Sequence, residues 1–123
     1  MIKEKYHPEF ADDLAFLLHL IGRKRFPECL MQINRAIDQV IHRPHKAAPL
    51  KYPPLSGFRK KKFFSVRNPG KQQRPNMRLL YRHDPDTNTF YFLAVGMRIA
   101  TRPHNPADVY QRVRERDLHM WED

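Results

Sequence analysis

The chain has 123 residues, 41% hydrophobic and 29% charged, with a formal net charge of +10 from 23 Lys and Arg against 13 Asp and Glu. That length supports one domain, residues 1–123, with a single modest core. So basic a domain points to a polyanion, either nucleic acid or an acidic protein, or else to a coat that keeps the chain in solution. The single cysteine, Cys29, excludes an internal disulfide framework and a Cys-rich zinc site. No apolar stretch has the character of a signal peptide or a membrane span, so the cytoplasm is the expected compartment.

Ile2 to Tyr6 alternates weakly and is a candidate first strand. Pro8 fits the first turn of a helix, where its missing N–H costs nothing. Phe10, Leu14, Leu17 and Ile21 follow at helical spacing, and Gly22 suits the helix end. Pro27 opens a second helix with a stripe of Leu30, Ile33, Ile37 and Val40, in which Cys29 reads as buried core. His42 and Arg43 suit the negative C-terminal end of that helix, and Pro44 stops it. Two amphipathic helices joined by a short basic turn predict an antiparallel hairpin over about residues 8–43.

Residues 44–59 hold four prolines and no helical period, an extended connector. Strands are expected at Phe63–Arg67, Met77–Arg82 and Phe90–Met97, giving a sheet over about residues 60–98. The last of these is apolar almost throughout, which predicts a strand covered on both faces. Asp84-Pro85-Asp86-Thr87-Asn88 is a strong turn signal. Asn105 reads as a cap and Pro106 as the first residue of a short helix over about 106–116, with Asp108 in its first turn and Val109 and Val113 towards the core. Leu118, Met120 and Trp121 suffice to dock the tail. Helices followed by strands predict an α+β fold, with the hairpin packed on one face of a three- to four-stranded antiparallel sheet.

Between Asp38 and Asp84 lie twelve basic residues and no acid: Arg43, Lys46, Lys51, Arg59, Lys60, Lys61, Lys62, Arg67, Lys71, Arg74, Arg78 and Arg82. The natural counter-charge of such a block is an external anion. The plainer reading is a solvated loop with a charged edge strand, where Lys discourages sheet-to-sheet pairing. No phosphate-cradling glycine loop, nucleophilic serine elbow or His-Glu-x-x-His pair is present. His42 and His45 flank a proline, but without carboxylate or thiolate companions they do not make a metal site. Arg78 and Arg82 are two alternations apart and point to one sheet face, with Leu79 and Tyr81 on the other. Arg98 follows the apolar strand, past a bend that Gly96 allows, and Tyr110 comes next. Arginines on a sheet face with a tyrosine at its edge suit phosphate binding and base stacking, and equally suit a merely charged surface.

The run Met77-Arg78-Leu79-Leu80-Tyr81-Arg82, the strand end Ala94-Val95-Gly96-Met97-Arg98, and Asp108-Val109-Tyr110 together resemble the second half of RelE/ParE-type bacterial toxins. The helical hairpin fits that family, as does Pro49-Leu50 through Leu55-Ser56-Gly57 ahead of the sheet. The resemblance spans most of the chain, and its strength lies in the order and spacing of short motifs. It implies the toxin of a type II toxin–antitoxin pair, cleaving mRNA at the ribosome without a metal or other cofactor. The implied catalytic residues are Arg78, Arg98 and Tyr110, with Arg67 from the preceding strand. Lys60, Lys61, Lys62, Lys71, Arg74 and Arg82 are the implied RNA-binding residues, and an acidic antitoxin is the implied protein partner. The Arg67 to Arg78 interval is longer here than the family usually has. The proton acceptor is left open among Tyr110, a lysine near the cluster and His119 in the tail. Two other functions fit the same scaffold: the gyrase inhibition of the ParE branch, and non-catalytic binding to RNA or the ribosome.

Overall fold

The computed structural model describes residues 1–99, 104–119 and 121. Its elements in chain order are β1 (Lys3–Tyr6), α1 (Phe10–Ile21), α2 (Phe26–His42), β2 (Ala48–Pro49), β3 (Arg59–Phe63), β4 (Met77–Asp84), β5 (Thr89–Met97) and α3 (Val109–Arg112). The architecture is α+β. Five strands form one sheet in the order β1-β5-β4-β3-β2. The sheet is mixed rather than wholly antiparallel, because β1 runs parallel to β5 while the other pairs are antiparallel. The strand expected at Phe63–Arg67 lies instead at Arg59–Phe63, so the basic run forms the strand and Phe63 ends it.

Turn chemistry fixes the boundaries. Gly22 takes φ 93°, a left-handed conformation that closes α1, and its N–H bonds to the Leu18 carbonyl. Pro27 falls in the first turn of α2, and the helix ends at His42, just ahead of Arg43 and Pro44. Asn88, at φ 51°, closes the β4–β5 hairpin, where the Asp84 carboxylate also accepts from the Asp86 N–H.

The two faces of the sheet carry two cores. Against the helices pack Phe63, Met77, Leu79, Tyr81, Phe90, Phe92 and Val95, meeting Phe10 and Leu17 of α1 and Cys29, Ile33, Ala36 and Val40 of α2. Burial pushes the Cys29 thiol up to about 11, so this group is packing rather than a reactive thiol. On the opposite face Phe58, Leu80, Leu93 and Ala94 are covered by Val109, Val113 and Trp121. β5 carries a bulge: Leu80 pairs with Ala94 but Tyr81 pairs with Phe92. The extra residue puts Leu93 and Ala94 on one face and returns Val95 to the other.

The bulge lies where β5 loses its outer neighbour, since the β1 pairing stops at Tyr6 opposite Phe92. The backbone groups left open there are satisfied by side chains. Asp13 of α1 accepts from the Val95 N–H at 3.1 Å, and Arg116 donates to the Leu93 carbonyl at 3.0 Å. The two side chains also pair, with contacts of 2.6 and 2.8 Å, and Arg112 of α3 adds a third member at 3.1 Å from Asp13. Asp13 is 1% exposed and Arg116 2% at the side chain.

A buried carboxylate in this position is costly to remove, because it strands a buried cation and an unpaired strand N–H. Asp13→Ala is expected to lower the unfolding free energy by about 3–5 kcal/mol in urea titrations. Pairing it with Arg116→Met is expected to recover much of that loss. A double variant as weak as Asp13→Ala would assign the cost to the open β5 backbone instead of the stranded guanidinium.

Candidate active site

Strand alternation sorts the basic run before any side chain is considered. Lys62 pairs with Arg78, Lys60 with Leu80, and Arg78 with Gly96 on its other side. These even-numbered positions of β3 and β4 share the face away from the helices. Gly96 is extended strand rather than a bend. A Cβ placed on it would lie 3.1 Å from the Val109 Cβ and 3.2 Å from its Cγ2. The missing side chain is what lets α3 lie directly on the sheet at the level of Arg78.

Asp108 then fixes how α3 is presented. It is fully buried and caps the helix, accepting from the Tyr110 N–H at 3.0 Å. Its other oxygen accepts from the Arg98 guanidinium at 2.9 Å and from the Ile99 N–H at 2.6 Å. Thus one carboxylate ties the end of β5 to the start of α3. The cap is Asp108 and not Asn105, whose side chain instead accepts from the Ala107 N–H. The helix is accordingly one turn, Val109–Arg112, shorter than the expected 106–116.

Tyr110 is held between two guanidinium groups. The Arg78 charge acts on its phenol, and the Arg98 guanidinium carbon lies 5.1 Å from its ring centroid. Arg78 is anchored in turn by the carbonyls of Pro75 and Met77 at 3.0 and 2.9 Å. The Arg98 N–H donates to the Asn76 carbonyl at 2.8 Å, and the Asn76 side chain bonds Ser65, joining the 64–76 loop to this end of the sheet.

The electrostatics follow from crowding like charges at a half-buried surface. Burial, then Lys62, Arg78, Arg98 and Lys51, holds the Lys60 ammonium below the ordinary lysine range. Burial raises the Tyr110 phenol even though both arginines pull it the other way, so it keeps its proton at neutral pH. Burial also lowers Arg78, which remains a cation. The result is a fixed pair of arginines, a protonated phenol and an ammonium held below the ordinary lysine range. Such a set can hold a phosphoryl group and move protons beside it.

The other sequence candidates are dispersed. Lys61 points through the sheet to the helix side, towards Lys46. Arg82 shares the Arg78 face but lies beyond buried Leu80, stacked 4.2 Å over the Tyr91 ring. Arg67 is exposed in the 64–76 loop, its backbone N–H donated to Glu28 of α2, and Lys71 and Arg74 are exposed in the same loop. His119 is exposed in the tail, next to the Asp117 turn whose carbonyl meets His7 just after β1. Sequence reasoning missed the tie of Asp108 to Arg98 and the nearness of Lys51 to Lys60. The first had a readable signal, an Asp two residues ahead of the tyrosine at a helix start. Among the described residues no three His, Cys, Asp or Glu side chains are grouped to hold a metal ion, and no helix is long and apolar enough to cross a membrane.

No family model and no curated protein matches the sequence. Solved structures match the fold. A YoeB/ParE toxin from Agrobacterium tumefaciens superposes with a TM-score of 0.54 at 16% identity, covering 78% of this chain and 98% of that one. The toxin–antitoxin complex RelBE2 from Mycobacterium tuberculosis matches with a TM-score of 0.51 at 20% identity, covering 79% and 98%. The hairpin on a mixed sheet, closed by a short helix, is similar in fold to these two toxin structures.

Proposed function

We propose that the chain is the toxin of a type II toxin–antitoxin pair and acts as a metal-independent endoribonuclease on mRNA at the ribosome. The observation that carries this reading is the convergence of Arg78, Arg98 and Tyr110 on one sheet face beside Lys60 and Lys62. The likeness in fold supports the toxin role, and an acidic antitoxin in the cytoplasm is the natural partner for the basic face.

The chemistry asks little of the protein beyond these groups. The ribose 2′-OH attacks the adjacent phosphorus, the O2′–P bond forms and the P–O5′ bond breaks, leaving a 2′,3′-cyclic phosphate and a 5′-OH. The nucleophile belongs to the substrate, so the protein aligns it, offsets charge on the phosphoryl oxygens and moves two protons. Arg78 and Arg98 bind the non-bridging oxygens, Arg98 pre-set by Asp108 and Arg78 by the carbonyls behind it. Lys60, whose ammonium is held below the ordinary lysine range, takes the 2′-OH proton. Tyr110, its phenol kept protonated by burial beside Arg78 and Arg98, offers its O–H to the departing O5′.

Purified protein supplied with ribosomes and mRNA is expected to cut in the presence of EDTA and to leave 2′,3′-cyclic phosphate ends. Intact transcripts together with double-strand DNA breaks in expressing cells would replace this reading with gyrase inhibition. RNA bound but never cut would leave a binding module.

Arg98→Ala is expected to lower cleavage by ~10²-fold or more, the scale for one preorganised donor. RNA affinity should fall much less, because the rest of the basic block remains. An equal fall in both would make Arg98 a binding residue only. The affinity itself should weaken with salt by roughly 0.7 log units per tenfold salt for each phosphate neutralised, and a flat titration would remove the polyanion from this face.

Lys60 gives a signed pH test. A base must be unprotonated, so the rate should rise with pH up to the folded-state value of Lys60, which lies below that of an exposed lysine. Lys60→Met should abolish that limb and lower the plateau. A variant that kept the limb would move base duty elsewhere.

A further inference from the structure

Lys61 is the member of the lysine run that the candidate active site does not use. It points to the helix side of the sheet and lines a cavity of about 390 Å³ at the end of α2. Arg43, Lys46 and His42 line the same cavity, with Asp38 as its one carboxylate among the described residues. Its walls are held in place. Arg59 donates to the carbonyls of His45 and Ala47, at 3.2 and 2.6 Å, and the Tyr81 hydroxyl donates to the Pro44 carbonyl at 2.6 Å. The 43–47 loop is thereby fixed to β3 and β4. His42 is turned back onto its own helix, at 2.8 Å from the Asp38 carbonyl.

We propose that this cavity is an anion site that takes a phosphoryl group between Lys46, Lys61 and Arg43. The chemistry of the walls recognises it: two ammonium groups and a guanidinium face one half-open cleft, against the single carboxylate of Asp38 and the carbonyl end of α2. Burial and the neighbouring Lys46 both press the Lys61 ammonium to lose its proton, a repulsion that a bound anion would relieve. The site lies on the helix side of the sheet from Arg78 and Arg98 and stands independently of the RNA-cleavage reading. The phosphoryl group is either a free phosphate or phosphomonoester, or a backbone phosphate of an RNA strand.

Backbone amide NMR of the full chain reads the site locally and separates it from phosphate at the Arg78 face. Inorganic phosphate is expected to shift the amides of Arg43, His45, Lys46, Ala47 and Lys61 beyond what chloride does at equal ionic strength. Lys61→Gln should weaken the affinity drawn from those shifts by roughly tenfold or more, the scale of one charge-assisted hydrogen bond. Lys46→Gln, at an exposed position, should do the same and guards against a folding defect in the Lys61 variant. A second titration uses a short single-stranded RNA. Competition with phosphate for the same amides identifies the backbone phosphate, whereas shifts confined to the Arg78 face identify a free phosphoryl group. Phosphate shifts no larger than those of chloride, or an affinity unchanged in both variants, would overturn the proposal.

Discussion

The buried carboxylate of Asp13 is the constraint on which the rest of the molecule depends. β5 contributes to both cores, and its bulge sets the faces that Leu93, Ala94 and Val95 take. A bulge next to an absent neighbour leaves an N–H and a carbonyl facing a dry interior, where an unpaired backbone group costs more than a hydrogen bond returns. Asp13 and Arg116 answer both groups and neutralise each other. The tail and α1, at opposite ends of the chain, are thereby locked to the same two residues of β5.

That lock extends to the candidate active site. Arg112, the last residue of α3, reaches Asp13, with its guanidinium also 4.1 Å over the Phe16 ring. Asp108, at the start of the same helix, holds Arg98 and the Ile99 N–H. A one-turn helix has no stability of its own, since nucleation costs more than one turn returns. Here it is clamped at both ends by carboxylates and pressed onto Gly96 in the middle. Tyr110 is therefore placed by tertiary contacts alone, which explains how so short an element positions a side chain between two arginines.

The parts of the fold that sequence discloses are those written in local periodicity. The stripes of α1 and α2, the stop at Gly22 and the turn at Asn88 follow from residue spacing and backbone preference, and the structure agrees. Arg78, Arg98 and Tyr110 were legible through the order of short motifs, and they converge. What local reading lacks is register. Alternation on β3 decides that Lys60 and Lys62 join Arg78 while Lys61 crosses the sheet, and one strand's placement shifts all three. The parallel partnership of β1 and the bulge at Leu93 are likewise non-local, because neither leaves a periodic trace in its own segment. Arg67 lay in a stretch read as strand, and the chain there is loop, drawn to Glu28 of α2.

Dividing the lysine run has an energetic consequence. Each face of β3 receives cations that burial partly strips of water, and in the free protein they mainly face one another. Sequence could have spread these charges over exposed loops, where salt would screen them at almost no cost. Instead two of the three lie half-buried in the sheet, where the repulsion among cations raises the gain on meeting an anion. Asp108 is fully occupied by Arg98 and the helix start, and Asp13 by Arg112 and Arg116, so neither acid relieves Lys60 or Lys61. The two buried carboxylates serve the framework, and neither offsets the positive charge that β3 carries on its two faces.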